Sequence, residues 1–250
     1  MNVPVGAQVI IDTVIIAFAA LVHGTIGIGF PLIATPLLAV FTDVRSAILL
    51  LVIPTMVINA ANILKGGQWR RSIAVYWPLA VYGMIGSAIG TQLLVVLSPE
   101  PFRPLLALML VVYLNAERLG VGFYWVHRRP RLSFAVFGLS AGLLAGTVNV
   151  MLPVLIIYAL EVRMPKTVMI QVFNFCFLFG KLVQGAVFVQ AGLMTVATLK
   201  ESLPLAGLGL VVMLAGMRIR DRIASETYRR WLRRLLVVLA VLLVIQFIMG

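Results

Sequence analysis

The chain has 250 residues, of which 62% are hydrophobic and only 11% charged, and its mean hydropathy is +1.09. A soluble domain carries about 25% charged residues, whereas the apolar runs here nearly fill the chain, so we predict one transmembrane domain over residues 1–250. In such a protein the net charge of +12 indicates cytoplasmic loops and anionic lipid rather than nucleic acid, and the single Cys176 excludes an intrachain disulfide or a cysteine metal cluster.

Eight apolar segments follow one another along the chain and predict an all-α polytopic membrane protein. Their expected bounds are about 8–41, 46–64, 73–97, 102–117, 132–160, 167–190, 203–217 and 231–249. The first segment is interrupted near residues 23–29 and the fifth near residues 146–149. Because the stretch before Val14 contains no Lys or Arg, we expect the first run to belong to the mature fold rather than to a signal peptide.

The two interruptions resemble each other and predict a duplication. Residues 24–32 (GTIGIGFPL) align with residues 146–154 (GTVNVMLPV) at an offset of 122, from 146 − 24. Residues 98–103 (SPEPFR) align with residues 224–229 (ASETYR) at an offset of 126, from 224 − 98. Two matches in the same order predict a repeated unit of four segments, with repeat 1 at about 1–120 and repeat 2 at about 130–250.

The distribution of Lys and Arg predicts whether an interrupted segment crosses the membrane. If the fifth segment enters and returns on one side, 16 of the 20 basic residues share one face, the other face holds only Arg45, Arg103 and Lys200, and Lys181 lies within a segment. If it crosses once, the faces hold 8 and 11. The positive-inside rule favours the first arrangement. We therefore predict a re-entrant hairpin there and, by analogy, in the first segment, so that each repeat is a hairpin plus three transmembrane helices and the repeats are inverted.

The chemistry of a membrane hairpin turn favours an anion. Glycines at 24, 27 and 29 allow positive φ, and Pro31 and Pro153 suit the first turn of the second half-helix. The start of such a half-helix presents unpaired N–H groups and a partial positive charge, and two turns from opposite faces would meet near the midplane. The alternative is that these glycines only allow helices to pack closely.

Polar side chains inside apolar segments are further candidates. Lys181 lies deep in the sixth segment, after Gln171 and Asn174 at helical spacings, and an ionisable group at that depth suggests a functional site. Snorkelling, or pairing with a carboxylate, is its structural alternative. Asn59 and Asn62 hold a comparable place in the first repeat, where they line a path or bond between helices. His23, at the first interruption, is a candidate for proton coupling, although a lone histidine also serves as a hydrogen-bonded structural residue.

One pattern suggests an enzyme instead. Residues 138–142 (GLSAG) match G-x-S-x-G, and a serine hydrolase would need a base within hydrogen-bond reach of Ser140. Only His23 and His127 are available as histidine bases, and small residues around a serine are common in membrane helices. An intramembrane serine hydrolase is therefore the alternative from another functional class.

With these motifs the chain resembles the TauE/SafE family of sulfite and organosulfonate exporters. Residues 24–31 followed by 34–38 (ATPLL) are similar to the first-repeat signature of that family, and residues 171–174 (QVFN) with Gly180 are similar to its second-repeat helix. Family members tend to be glycine-rich in the second hairpin, whereas this chain has VNVM at residues 148–151. The resemblance implies a transporter of the cytoplasmic membrane that moves small sulfur-containing anions outward.

Together these observations predict a secondary transporter that exports sulfite or an organosulfonate by alternating access, with the basic loops in the cytoplasm. Another small anion, or a metal cation, is the remaining carrier alternative. No ATP-binding motif is present, and we expect no cofactor, no metal and no nucleic-acid partner; the partners are the anion and membrane lipid, and a homodimer is left open. The predicted substrate-binding residues are Gly24, Thr25, Gly27, Gly29, Asn59, Asn62, Gly146, Thr147, Asn149, Gln171, Asn174 and Lys181.

Overall fold

A computed structural model describes residues 5–67, 69–119, 122–219 and 225–249 of the chain. The described residues are helical apart from short connections. The helices are α1 (Val5–Ile26), α2 (Phe30–Ala39), α3 (Val44–Gly66), α4 (Ile73–Val96), α5 (Phe102–Leu119), α6 (Trp125–Arg128), α7 (Pro130–Val148), α8 (Leu152–Glu161), α9 (Lys166–Gln190), α10 (Val196–Ile219) and α11 (Ser225–Met249). Ala224, which begins the second repeat match, lies outside the described residues.

Six helices in the described part of the chain are long and apolar enough to span a bilayer, namely α1, α3, α4, α7, α9 and α10. Large apolar side chains such as Leu64, Val96 and Ile248 remain 70–75% exposed, as expected where lipid rather than water surrounds the protein. The number of spans agrees with the sequence prediction, but the set differs. The first arm of each interrupted segment, α1 or α7, is itself long enough to cross, whereas α5 and α11 are not among the six.

Each interrupted segment consists of two helices joined by three residues. Gly27 and Gly29 have φ values of 93° and 107°, which a residue without a Cβ adopts readily, and Asn149 has a φ of 62°. Pro31 and Pro153 lie in the first turns of α2 and α8, where the missing N–H breaks no helical hydrogen bond. The breaks and both proline positions therefore agree with the sequence prediction.

The second interrupted segment is a hairpin. The ring of Tyr158, near the end of α8, lies 6.1 Å from that of Phe134 and 5.2 Å from that of Phe137, both near the start of α7. His127 Nε2, in α6, lies 2.9 Å from the backbone oxygen of Glu161, the last residue of α8. Thus α8 returns to the end of the molecule where α7 begins, which we call the linker end because α6 lies there.

We take α1–α5 as the first half of the chain and α7–α11 as the second half. The first helix of each half packs in parallel against the fourth helix of the other half. A Cβ on Gly209 would lie 3.6 Å from Ile16 Cγ2, and one on Gly24 would lie 3.1 Å from the Cα of Gly216, so α1 and α10 run in the same direction. The corresponding pair, α4 and α7, is also parallel, since Gly138 adjoins Leu79 and Gly146 adjoins Ser87 and Gly90. The first helix of each half therefore packs against the fourth helix of the other.

The direction of α1 shows that the first interrupted segment is also a hairpin. Ser202 Oγ, near the start of α10, donates to the backbone oxygen of Leu50 at 3.2 Å, near the start of α3. Hence α10, α1 and α3 all begin at one end of the molecule. Because α3 follows α2 after a short connection, α2 ends where α1 begins. We call this the Arg45 end, after the residue at the start of α3.

Corresponding helices of the two halves are antiparallel. Arg233, early in α11, donates to the backbone oxygen of Leu114, late in α5, at 3.4 Å. For α3 and α9, a Cβ on Gly66 would lie 3.0 Å from Gln171 Oε1, and one on Gly185 would lie 3.4 Å from Val52 Cγ1. The end of one helix thus lies beside the start of the other in both pairs.

Candidate functional site

The turn between α1 and α2 is held by two asparagines from different halves of the chain. Asn62 Nδ2 on α3 and Asn174 Nδ2 on α9 donate to the backbone oxygen of Gly27 at 2.9 and 2.8 Å. Both side chains are buried. This shared carbonyl therefore fixes the positions along α3 and α9 at which the two antiparallel helices contact the turn.

His23 closes the start of α2. Its side chain is 1% exposed, and its Nδ1 accepts a hydrogen bond from the Phe30 N–H at 3.2 Å. The other ring nitrogen, Nε2, lies 2.8 Å from Asn62 Nδ2. The histidine therefore acts as a side-chain cap of the half-helix, and one of the N–H groups expected to attract an anion is already bonded.

The turn between α7 and α8 is held by Gln184, which sequence reasoning missed. Gln184 Nε2 donates to the backbone oxygens of Gly146 at 3.0 Å and Ala145 at 3.5 Å. The sequence repeat could have predicted this residue, because Gln184 lies 122 residues after Asn62, the same offset that aligns the two interruptions. One amide side chain thus braces each turn from the third helix of its own half.

Lys181 lies one helical turn before Gln184 and donates to Gln184 Oε1. The lysine is 2% exposed, and among the described residues no carboxylate pairs with it. The C-terminal carbonyls of α7, which Gln184 also contacts, carry partial negative charge that favours a cation nearby. That dipole compensates a full buried charge only in part, so the position suits an added anion.

Asn59 on α3 and Lys181 on α9 both lie in the part of the molecule between the two turns, which we call the layer between the turns. Asn59 is three residues from Asn62, Lys181 is three residues from Gln184, and the i, i+3 spacing puts each on the face of its helix that braces a turn. Because α3 and α9 are antiparallel, Asn59 lies on the side of Asn62 that is nearer the second turn, and Lys181 lies on the side of Gln184 that is nearer the first turn. Asn59 is 1% exposed and its Nδ2 donates to the backbone oxygen of Thr55 at 2.7 Å.

Asn149 links the second turn to the first half of the chain. Its side chain is fully buried, and its Nδ2 donates to Thr35 Oγ1, in the middle of α2, at 2.8 Å. Its Oδ1 has no hydrogen-bond partner among the described residues. Thr35 was not singled out from the sequence, because a threonine in an apolar run gives no pattern that separates it from a packing residue.

Four of the predicted substrate residues have structural contacts that account for them. A Cβ on Gly24 would lie 2.2 Å from the backbone oxygen of Met213, and one on Gly146 would lie 2.6 Å from that of Ser87, so both glycines allow close helix crossings. Thr25 Oγ1 and Thr147 Oγ1 donate to backbone oxygens of their own helices at 2.8 and 2.9 Å. For these residues the packing alternative has direct support, and substrate binding remains a prediction.

Gly29 and Gln171 occupy different surroundings. Gly29 is buried, yet no atom lies within 4 Å of the position that a Cβ would take, so there is open space beside the start of α2. Gln171 is 2% exposed and lies against Gly66 at the end of α3, farther from the layer of Asn59 and Lys181. The open space makes Gly29 the better placed of the two for a ligand.

Ser140 does not lie near a histidine base. Its side chain is on the exposed face of α7, whereas Gly138 and Gly142 face α4, where a Cβ on Gly142 would lie 2.0 Å from the backbone oxygen of Gly83. His23 is bonded to the start of α2 and His127 contacts Glu161. Helix packing thus accounts for the glycines of the G-x-S-x-G pattern. In the described part of the chain, no three His, Cys, Asp or Glu side chains are grouped to hold a metal ion.

The chain matches the model of a known protein family. The model of the family described as sulfite exporter TauE/SafE matches residues 13–247, which includes both interruptions and the layer between them. No curated protein and no solved structure matches the chain.

Proposed function

The chain belongs to the TauE/SafE sulfite exporter family, and from this premise we propose that it exports a small sulfur-containing oxyanion, sulfite or an organosulfonate, across the cytoplasmic membrane. The observation that carries the proposal is Lys181, a buried lysine without a carboxylate partner among the described residues. It lies between two hairpin turns in a protein whose family transports anions. The substrate would complete the charge balance of this layer.

The binding site in this proposal is the layer between the turns. Lys181 supplies the charge, and Asn59 supplies an amide. Asn62, Asn174 and the glycines at 27 and 29 shape the first turn, while Asn149 belongs to the second. His23 is retained as a candidate for proton coupling, and Gln171 as a contact at the edge of the layer.

The transport mechanism in this proposal is alternating access by two inverted repeats. The antiparallel pairs α3–α9 and α5–α11 support the inversion, because an odd number of crossings in the first repeat reverses the second. The packing of α1 against α10 and of α7 against α4 supports the inversion too. In each pair the first helix of one half packs against the fourth helix of the other half, as a two-fold relation between the halves requires. The energy would come from an ion gradient or from the gradient of the anion.

The proposal is tested by flux in proteoliposomes. We expect the purified protein to exchange sulfite or an organosulfonate, and Lys181→Gln to lower the rate at subsaturating substrate by about tenfold or more, because a hydrogen bond to a charged group contributes roughly 1.5–3 kcal/mol. Lys200→Gln is the matched control, since Lys200 is exposed at the start of α10. Absence of flux for every oxyanion tested would refute the proposed function, and equal rates for the two variants would refute the role of Lys181.

A further inference from the structure

Asn149 occupies the position in the second turn that Gly27 occupies in the first, at the offset of 122 residues that relates the two interruptions. Both residues have positive φ, 62° for Asn149 and 93° for Gly27. Asparagine tolerates this backbone conformation better than most residues with a side chain. The chain therefore keeps the positive φ at this position but adds an amide side chain in one half only.

Only one of the two polar atoms of that amide has a hydrogen-bond partner among the described residues. Its Nδ2 donates to Thr35 Oγ1 at 2.8 Å, which fixes the side chain across the contact between the hairpins. Its Oδ1 is buried and has no partner among the described residues. A buried acceptor that stays unpaired costs stability, so such a group in a native structure calls for an explanation.

The charged group of the layer belongs to the same network of contacts. Asn149 follows α7, and its N–H donates to the backbone oxygen of Ala145 at 3.1 Å. Gln184 contacts that oxygen and the oxygen of Gly146, and Lys181 donates to Gln184. Lys181 on α9 and Asn149 after α7 are thus connected through Gln184 and the backbone oxygen of Ala145.

We propose that Asn149 is a specificity-determining residue that selects small sulfo-group monoanions carrying a hydrogen-bond donor, such as a hydroxyalkanesulfonate or hydrogen sulfite. This inference rests on the proposed function and adds the class of substrate. Lys181 balances the single negative charge, and Asn149 Oδ1 accepts the hydrogen bond from the hydroxyl. An anion of the same shape without a donor leaves the acceptor unpaired and binds less well.

A pair of sulfonates of nearly equal size tests this selection. 2-Hydroxyethanesulfonate and propane-1-sulfonate differ by a hydroxyl in place of a methyl group. In proteoliposomes we expect kcat/KM for the hydroxyl compound to exceed that for the alkyl compound by roughly tenfold to a hundredfold, the range expected when a buried acceptor is left unpaired. Equal values for the wild-type protein would overturn the inference.

The variants separate this role from a structural one. Asn149→Gly keeps the backbone conformation, as Gly27 shows, and we expect it to bring the ratio of the two kcat/KM values close to one. Thr35→Ser keeps the hydroxyl group that accepts from Nδ2 and so leaves Oδ1 in place, and the preference should persist. A preference that survives in Asn149→Gly would overturn the inference.

The outcomes also separate this inference from the proposed function. Flux of both sulfonates without a preference would leave the exporter intact and reject the role of Asn149, and so would flux of sulfite with neither sulfonate. No flux of any oxyanion would reject the proposed function and this inference with it. If Asn149→Gly does not fold, the wild-type ratio still decides the result.

Discussion

At the scale of single residues, side chains predicted from the sequence as substrate contacts divide into those that hold the fold and those with capacity left for a ligand. The amide nitrogens of Asn62 and Asn174 both donate to the carbonyl of Gly27. Asn149 Oδ1 and Asn174 Oδ1 have no hydrogen-bond partner among the described residues, and Lys181 has no carboxylate partner there. These unused groups, rather than burial itself, identify the better candidates, because all four side chains are buried.

The cap that His23 provides leads to a stability prediction. His23→Leu leaves the Phe30 N–H buried without its acceptor and should lower the free energy of unfolding by about 1–3 kcal/mol. His23→Asn should recover much of this loss, because the side-chain oxygen of asparagine can take the place of Nδ1. Thermal unfolding of the purified variants in one detergent measures both effects. Equal stability of His23→Leu and wild type would show that the hydrogen bond does not hold α2.

At the scale of helices, glycine decides where backbones approach most closely. Gly83, Gly86, Gly138 and Gly142 bring α4 and α7 together so closely that an added Cβ at Gly86 or Gly142 would lie 2.0–2.2 Å from a backbone oxygen of the other helix. In a bilayer, such van der Waals contact between small residues is a principal source of helix association. The crossing joins helices from different halves of the chain and so holds the two halves together.

Matched glycine substitutions test this crossing. Gly142→Ala should destabilise the protein by about 1–3 kcal/mol, because backbone must move to admit the methyl group. At Gly207, on α10, a Cβ would have nothing within 4 Å. Gly207→Ala should therefore be neutral or stabilise by up to about 1 kcal/mol through helix propensity. If the two variants unfold at the same temperature in the same detergent, the close contact of α4 and α7 contributes nothing measurable.

At the scale of the whole molecule, each hairpin begins and ends at the same end, and the two hairpins open at opposite ends. Among the described residues the Arg45 end holds few basic side chains, and its two arginines donate to nearby backbone oxygens. Arg45 donates to the backbone oxygens of Leu94, at 2.8 Å, and Leu97, and Arg103 donates to that of Thr42 at 3.5 Å. The partial negative charge of these helix ends favours arginine there.

Cysteine labelling tests the arrangement of the ends. With Cys176 replaced by alanine, a cysteine at Arg163 should react with a membrane-impermeant maleimide only from the cytoplasmic side, and one at Glu100 only from the opposite side. Both positions are exposed, and α5 connects the end that holds Glu100 to the linker end beside Arg163. Reaction of both cysteines from one side would contradict the inverted repeat.

By itself the sequence determined the class of the protein, the two interrupted segments and the turn positions. Long apolar runs need a bilayer, and the glycines at 27 and 29 with Pro31, like Asn149 with Pro153, break and restart a helix through local backbone preferences. The charge count also predicted that the second segment returns, because loop charge follows from position along the chain.

Only the tertiary structure decided which polar groups are already bonded and which helices are neighbours. The exchange of α1 and α7 between the halves, the contact of Asn149 with Thr35 and the bond from His23 to Phe30 depend on side chains meeting in space. No local pattern encodes such meetings, since the partners of these bonds lie on different helices. For the same reason the contacts of Gln184 with the carbonyls of Ala145 and Gly146 arise only because α9 packs against the end of α7.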